Sequence, residues 1–312
     1  MNFQQLRIVR ETARQNFNLT EVANTLFTSQ SGVSKHIKDL EEELGVELYI
    51  RKGKRLLGLT EPGEQMLVFV ERMLMDAKNI KNLAEHYQSQ DSGELTIATT
   101  HTQARYVLPE VVSQFKRQFP NVRLRLHQGS PGEIVSMLLS GEADIGVATE
   151  ALGDVPQLAS FAYHRWHHGV VVPEGHPLAR IEQLTLEDIQ KFPIITYHEG
   201  FTGRASIEKA FARSDLRPEI VMTALDADVI KSYVELRLGV GIIASVAFNP
   251  VRDAGLQLLN TDHLFEEKQT RIGVRRGNLL RNYAFQFIEL CTPTLTESVV
   301  RDQLALPTLP RR

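Results

Sequence analysis

One cysteine, Cys291, is all the thiol chemistry in 312 residues. A lone cysteine excludes an internal disulfide and argues against a cysteine-based metal site. Charge of either sign in excess is also missing: 35 Lys and Arg against 38 Asp and Glu leave a formal net charge of −3. The molecule as a whole is therefore no polyanion-binding surface, and any nucleic-acid contact must be local. No apolar run approaches the ~20 residues that span a bilayer, and MNFQQLRIVRETARQ has no apolar leader core. A cytoplasmic protein with no membrane partner is expected. No phosphate-binding loop and no G-x-G-x-x-G opens a helix after a strand; GVGIIA is strand-like. No G-x-S-x-G places a nucleophile either. No catalytic residue is assigned, and an enzyme is not expected. The length still allows two or three domains with a sizeable core.

What is present begins with LFTSQSGVSKHIKDLEEELG, residues 26–45. Val33, Ile37, Leu40 and Leu44 are spaced four, three and four, one face of an α-helix. Gln30, Ser31, Ser34, Lys35 and Lys38 lie opposite, all hydrogen-bonding side chains. Just upstream, NFNLTEVANTLF reads as a shorter helix capped by Asn18, with Glu21 placed to reach back. Leu19, Val22, Ala23 and Leu26 form its buried face, and Phe3, Leu6, Ile8 and Val9 predict a first helix packing on both. The turn FTSQ supplies Thr28 or Ser29 as the next N-cap. Two short helices joined so tightly read as helix-turn-helix, whose second helix turns its N-terminal residues toward base edges. The acids Glu41–Glu43 then fall at the helix end away from an anion. Past Gly45, Val46, Leu48 and Ile50 alternate, and Arg51, Lys52, Lys54 and Arg55 surround Gly53. That pattern predicts a β-ribbon wing whose basic tip lies near phosphates; a solvated hairpin gives the same pattern.

Thr60 caps a long helix, with Pro62 in its first turn. Met66, Val70, Met73, Ala77, Ile80, Ala84 and Tyr87 keep a four-three spacing, an a/d seam over three heptads. At ~1.5 Å per residue the helix spans about 40 Å. A self-pairing dimerisation helix is preferred; packing on its own domain is the alternative. The polar SQDSG (89–93) marks a boundary. The expected division is 1–60 as a DNA-binding head, 61–92 as dimerisation helix and 93–312 as a third domain.

From Glu94 the texture becomes α/β. ELTIATT, VRLRLHQ and ADIGVAT read as strands, with helices in RYVLPEVVSQFKRQF and GEIVSMLLSG between them. FPIITY, EIVMTAL and VGIIAS repeat the pattern around helices in GRASIEKAFARSD and ADVIKSYVELRLG. Such alternation predicts mostly parallel sheets covered by helices. Crossings near YHRWHHGVVV and TRIGVRR suggest two lobes around a cleft, lobe I at about 93–163 and 270–312 and lobe II at about 164–269. The last helix, LLRNYAFQFIELC, is expected to pack back onto lobe I.

Ligands of open α/β sheets bind beyond the strand C-termini, where helix N-termini favour anions. TTHTQAR, EGFTGRAS and ATEA stand at three such ends. Thr100, Thr102, Gln103, Thr149 and Thr202 add neutral donors, and Gly203 permits close backbone approach. One such segment alone would be ordinary capping; three at matching positions suit a small oxyanion or a carboxylate-bearing metabolite. His164, His167 and His168 raise a metal question, but strand neighbours point to opposite faces, so no metal and no cofactor is expected.

With these residues in hand, the chain resembles the LysR-type transcriptional regulators over essentially its full length. EVANTLFTSQSGVSKHIKDLEEELGVELYIRKGKRL and LTEPG look like that family's winged helix-turn-helix. IATTHTQARYVLPEVV, HQGSP, ADIGVATEAL, FTGRASIEKAF and ALDADVIKSYVELRLGVGIIAS resemble its sulfur-assimilation branch, the CysB and Cbl type. MNFQQL, Ser31 in SQSG, KRLLGLTEPG and FAYHRWHH lean toward Cbl. Arg237 departs from a position where these relatives usually carry Gly. The resemblance implies a winged helix-turn-helix head, a long dimerisation helix and a two-lobed effector domain of the periplasmic-binding-protein type. It implies a homo-oligomer, dimer to tetramer, on double-stranded promoter DNA, in contact with RNA polymerase. Carried onto matching residues, Gln30, Ser31, Ser34 and Lys35 read or approach bases and Arg51, Lys52 and Lys54 lie near phosphates, with Thr28, Ser29 and Lys38 also in the DNA-binding set. Thr100, Thr102, Gln103, Thr149, Thr202 and Gly203 line a site for sulfate, acetylserine or adenosine phosphosulfate. A LysR-type regulator of another pathway, or a solute-binding sensor with no transcriptional role, remains the alternative.

Overall fold

The computed structural model describes residues 1–88, 92–149, 151–201 and 203–304. The chain divides into two compact units, Met1–Ala84 and Glu85–Arg312.

In the first unit, α1 (Phe3–Arg14) starts from an Asn2 cap that receives the Gln5 amide. Asn18 Oδ1 accepts the Thr20 and Glu21 amides at the head of α2 (Leu19–Thr25). Ser29, rather than Thr28, caps α3 (Gln30–Leu44). Strands β1 (Tyr49–Lys52) and β2 (Arg55–Leu59) pair antiparallel as a wing. Leu6, Ile8, Val22, Val33, Ile37 and Leu40 form one core. Leu44, Val46 and Ile50 are exposed instead of buried. The reason is local: β1 begins only at Tyr49, so Leu48 packs from a loop and Tyr49 follows it inward.

Helix α4 (Glu61–Gln88) begins where Thr60 Oγ1 accepts the Gly63 amide and donates to Glu47 O. A Cβ at residue 63 would collide with the Leu48 carbonyl, which restricts that position to glycine. The two readings of the heptad seam divide along the helix. Val70, a seam position, is buried in the head core together with Leu74. Met73, at 41 % exposure, and Ile80, at 69 %, remain open on the chain, as do Phe69 and Leu83. The side chain of Tyr87 and all of Ser89–Asp91 lie outside the described residues.

The second unit holds two five-stranded sheets. The first is built from β3 (Gly93–Thr99), β4 (Val122–Gln128), β5 (Ile145–Ala148), β6 (Leu158–Trp166) and the late strand β12 (Lys268–Arg275), ordered β4-β3-β5-β12-β6. The second is β7 (His168–Pro173), β8 (Ile194–Tyr197), β9 (Ile220–Ala224), β10 (Val240–Ala244) and β11 (Leu256–Leu259), ordered β11-β7-β10-β8-β9. Each sheet pairs three adjacent strands parallel and adds two antiparallel pairings, so both sheets are mixed, with β12 in the first and β7 in the second running against the other four strands. The chain crosses between sheets at His167 and again before Lys268; β6 continues through Trp166, past the expected limit at 163.

Helices α5 (Leu108–Gln118) and α6 (Pro131–Ser140) follow the first lobe's strands. The single turn α7 (Leu186–Ile189), α8 (Arg204–Arg213) and α9 (Ala227–Glu235) belong to the second lobe. Helix α10 (Asn282–Cys291) returns to lobe I as expected, setting Phe285, Phe287 and Ile288 against Leu108, Val111 and Phe115, and α11 (Glu297–Leu304) adds Val300. Burial pushes the Cys291 thiol up to about 12, so this cysteine packs rather than reacts. Arg237 sits just past α9 with φ +58°, in the left-handed region that favours glycine. Arg237→Gly should relieve roughly 1 kcal/mol of backbone strain and raise the melting temperature by about 2–4 °C. Scanning calorimetry checks it; an unchanged or lower midpoint contradicts it.

Candidate functional site

The head gathers its polar residues at one end of α3. Thr28, Ser29, Gln30, Ser31 and Lys35 are exposed and Ser34 is half-buried. Ser29 is partly engaged as a cap: its Oγ accepts the Gly32 amide at 3.1 Å and lies 3.2 Å from Ser31 Oγ. Gln30 shares a cavity of 420 Å³ with Lys54 and Arg55 of the wing, so the recognition-helix start and the wing tip face one space. Lys52 is also exposed. Two expected cations are turned elsewhere: Arg51 holds Glu41 at 2.5 Å and Lys38 pairs with Glu42 at 3.3 Å. Both draw the acidic end of α3 into ion pairs within the head.

In the second unit, the end of β3 carries Thr100, Thr102 and Gln103, at 9 %, 2 % and 1 % exposure. They enter the helical turn Gln103–Val107 that leads into α5. Gln103 Nε2 donates to Thr270 Oγ1 at 3.2 Å, and Trp166 Nε1 donates to the same oxygen at 3.2 Å. Thr149 Oγ1 lies 3.4 Å from Thr270 Oγ1. A hydroxyl oxygen has two lone pairs. With both engaged by N–H groups, Thr270 must give its own proton to Thr149. The Thr149 hydroxyl then keeps a donor with no recipient in this group. Gln103 Oε1 is buried without a partner. The group thus holds one hydroxyl donor, on Thr149, and one buried acceptor, Gln103 Oε1, without partners.

Lobe II meets this segment through Tyr197. The Tyr197 phenol, fully buried, accepts the Ala244 amide at 3.0 Å and meets the Thr102 side chain. Burial raises its ionisation above the usual phenol range, so it remains a neutral hydroxyl. Gly203 opens α8 with φ +70°, and a Cβ there would stand 2.8 Å from His168 Cε1. Thr202 lies outside the described residues.

A second network ties the lobes. Tyr106 donates to Asp228 Oδ1 at 2.6 Å, and Lys231 Nζ donates to the Tyr106 hydroxyl at 3.2 Å. Lys231, 5 % exposed, also grips Asp253 at 2.8 and 3.0 Å and the Ala247 carbonyl at 2.8 Å. Burial pushes the Asp228 carboxyl up, but Tyr106, Lys231 and Arg105 outweigh it and hold it below the ordinary carboxylate range. His164, His167 and His168 do not converge: His168 is buried against Trp166 and Phe265, His167 faces Asp262 at 3.9 Å, and desolvation keeps His164 below the usual imidazole range. Among the described residues His101, Asp226 and Asp228 are close enough to share an ion. Arg105 and Lys231 already neutralise that corner, so it is a poor cation site. Motif reading misses Trp166, Thr270 and Tyr106. The signals available are the chain's one tryptophan in the first crossing and a threonine opening the second.

Two family models cover the chain. Residues 3–64 match the bacterial regulatory helix-turn-helix protein of the lysR family, and residues 88–296 match the LysR substrate binding domain. The chain belongs to the LysR family. It is a DNA-binding transcriptional regulator rather than an enzyme, as its relatives are named. It is 57 % identical over 300 residues to the HTH-type transcriptional regulator SsuR of Burkholderia cenocepacia, covering 96 % of this chain and 97 % of that one. It is 54 % identical to the regulator cbl of Escherichia coli strain K12, covering 97 % and 96 %. Among solved structures, the cofactor-binding domain of the Cbl transcriptional regulator matches at TM-score 0.66 and 51 % identity, over 68 % of this chain and 93 % of that one. A full-length OxyR variant from Pseudomonas aeruginosa matches over 100 % of both chains at TM-score 0.65 and 20 % identity, a likeness of fold. As a LysR regulator, the protein binds DNA and a small-molecule effector and forms oligomers. Among the described residues, no helix is long and apolar enough to cross a membrane.

Proposed function

We propose that this LysR regulator controls genes of sulfur assimilation, with a small sulfur-pathway anion bound between its lobes setting its state on promoter DNA. Gln30, Ser31, Ser34 and Lys35 approach base edges while Lys52, Lys54 and Arg55 meet phosphates. Thr100, Thr102, Gln103, Thr149 and Thr202 receive the anion, and Gly203 admits it to the start of α8. RNA polymerase is the partner that reads the outcome. The observation that carries this reading is the donor chain ending on Thr149, with Trp166 and Gln103 both aimed at Thr270. An unpartnered buried acceptor such as Gln103 Oε1 costs about 1–3 kcal/mol. Rotating the amide to offer Nε2 to an anion turns Oε1 toward Thr270, whose hydroxyl then donates to it instead of to Thr149. The ligand acts only through unequal affinity for two arrangements of the oligomer.

The full-length chain should gain thermal stability with one of sulfate, acetylserine or adenosine phosphosulfate, and the same ligand should alter its gel shift on promoter DNA. DNA affinity should fall steeply across a salt series. Thr100→Val removes a hydroxyl at nearly constant shape and should weaken the ligand response about fivefold, on the order of 1 kcal/mol. A Thr100→Val titration that overlays wild type would remove this residue from the site.

A further inference from the structure

Every donor so far assigned to the anion site is neutral, yet a dianion in a buried cleft gains most from a charged partner. Two cations stand near the start of α8. Arg204, 6 % exposed, is largely committed, with Nη1 donating to Tyr197 O at 2.7 Å and Nη2 holding Glu208 at 2.8 Å, although its Nε is buried without a partner. Lys268 is not so held. Its Cε would lie 3.5 Å from a Cβ placed on Gly203, so its arm crosses the helix start that glycine leaves open. The acids beside it in sequence are engaged with other cations: Glu267 with Arg165 at 3.0 Å, and Glu266 with Arg213 at 2.6 Å and Lys209 at 3.6 Å. Glu266 feels Lys268 only as the weakest of its charged neighbours. Among the described residues the Lys268 ammonium has no ion pair within 4.0 Å.

The surroundings connect this lysine to the donor chain. Lys268 is the first residue of β12 and pairs across the sheet with Trp166, whose indole donates to Thr270. Trp166 packs edge-on against His168 at 5.0 Å, and His168 is the ring that Gly203 accommodates. At the same helix start, Ser206 Oγ is 7 % exposed and without a partner, and Gly203, the N-cap, contributes no side chain. The start of this ten-residue helix has no side-chain cap, and its Arg204, Ser206 and Ile207 amides donate to backbone carbonyls; beside it lie an unsatisfied buried hydroxyl and the arm of a lysine outside any ion pair. Lys268 comes from lobe I's sheet and Gly203 from lobe II, so an anion held by both would bridge the lobes.

We propose that Lys268 is the charged ligand of the interlobe anion site and sets its preference for dianions over monoanions. The proposal rests on the anion-site reading above. The test compares sulfate with methanesulfonate, which shares the sulfur–oxygen geometry but carries one charge. Binding of each to the full-length wild type, Lys268→Gln, Lys268→Arg and Thr100→Val is followed by calorimetry. Lys268→Gln should lower sulfate affinity about tenfold or more, as expected for losing a charge-assisted hydrogen bond. Methanesulfonate should change little, so the preference for sulfate collapses, and Lys268→Arg should restore most of it. The unliganded melting temperature of each Lys268 variant should match wild type, because the ammonium makes no ion pair within the fold. If Lys268→Gln binds sulfate as wild type does while Thr100→Val binds it weakly, the anion site stands and Lys268 is not part of it. If neither substitution affects sulfate, or wild type binds neither anion, the site itself is wrong and this assignment falls with it.

Discussion

Met73→Asp should convert the oligomer to a species of half the mass or less in sedimentation velocity, and lower promoter affinity by at least tenfold. Residues 66–84 follow a continuous a/d seam, but the head has already taken Val70 and Leu74 into its own core. That leaves Met73, Ile80 and Ala84 as exposed seam positions, with Phe69 and Leu83 exposed beside them. An unpaired carboxylate forced into an apolar seam costs several kcal/mol, and a symmetric pair meets it twice. Loss of the dimer removes simultaneous engagement of two heads, and the avidity that comes with it. Because Met73 is 41 % exposed on the chain, the head should keep its melting temperature. An unaltered sedimentation profile would contradict the seam, and a collapse of the head's own unfolding transition would assign Met73 to the core instead.

The same helix shows how far a pattern of apolar residues reaches. A period of 3.5 identifies which residues share a face, not which neighbour takes that face, so one stripe serves a core at Val70 and stays open at Ile80. The helix-turn-helix is legible because its signals are local: Asn18 and Ser29 cap the elements they precede. The wing is legible in outline but out of phase, since alternation counted from Val46 starts three residues before β1 at Tyr49. Lobe architecture follows from βα alternation; the places of β6, β7, β11 and β12, and the reversal of β7 and β12, do not, because they depend on crossings of long range. For the cleft, Thr100, Thr102 and Gln103 stand out through their place after a strand. Thr270 and Trp166 lie 167 and 63 positions beyond Gln103 and meet it only through the sheet order. No spacing in the sequence encodes that meeting.

Lys231→Met should be the most destabilising single change in the effector unit, lowering its melting temperature by about 10 °C. Lys231 Nζ bonds to Tyr106, Ala247 and Asp253, and both Lys231 and Asp253 are more than nine-tenths buried. Removing the ammonium leaves the Asp253 carboxylate buried against only the Asn249 amide at 2.7 Å. Breaking a buried pair in this way costs about 3–5 kcal/mol, and each kcal/mol is worth about 2–4 °C in a unit of this size. Lys231→Met with Asp253→Leu should recover most of the loss, since no charge is then stranded. The pH dependence has a fixed sign. Asp228, held below its ordinary range by Tyr106, Lys231 and Arg105, contributes stability above the unfolded carboxylate value of 3.8 that disappears as pH falls through its folded value. The gap between wild type and Lys231→Met should therefore be widest near neutrality and narrow as the medium becomes acid. Tyr106→Phe isolates the interlobe part: it removes the 2.6 Å bond to Asp228 but leaves Lys231 on Asp253. It should cost only about 1 kcal/mol of stability while shifting effector affinity, because Tyr106 stands three residues past Gln103 and ties that junction to α9. A Tyr106→Phe protein with unchanged effector affinity would confine the network to holding the fold.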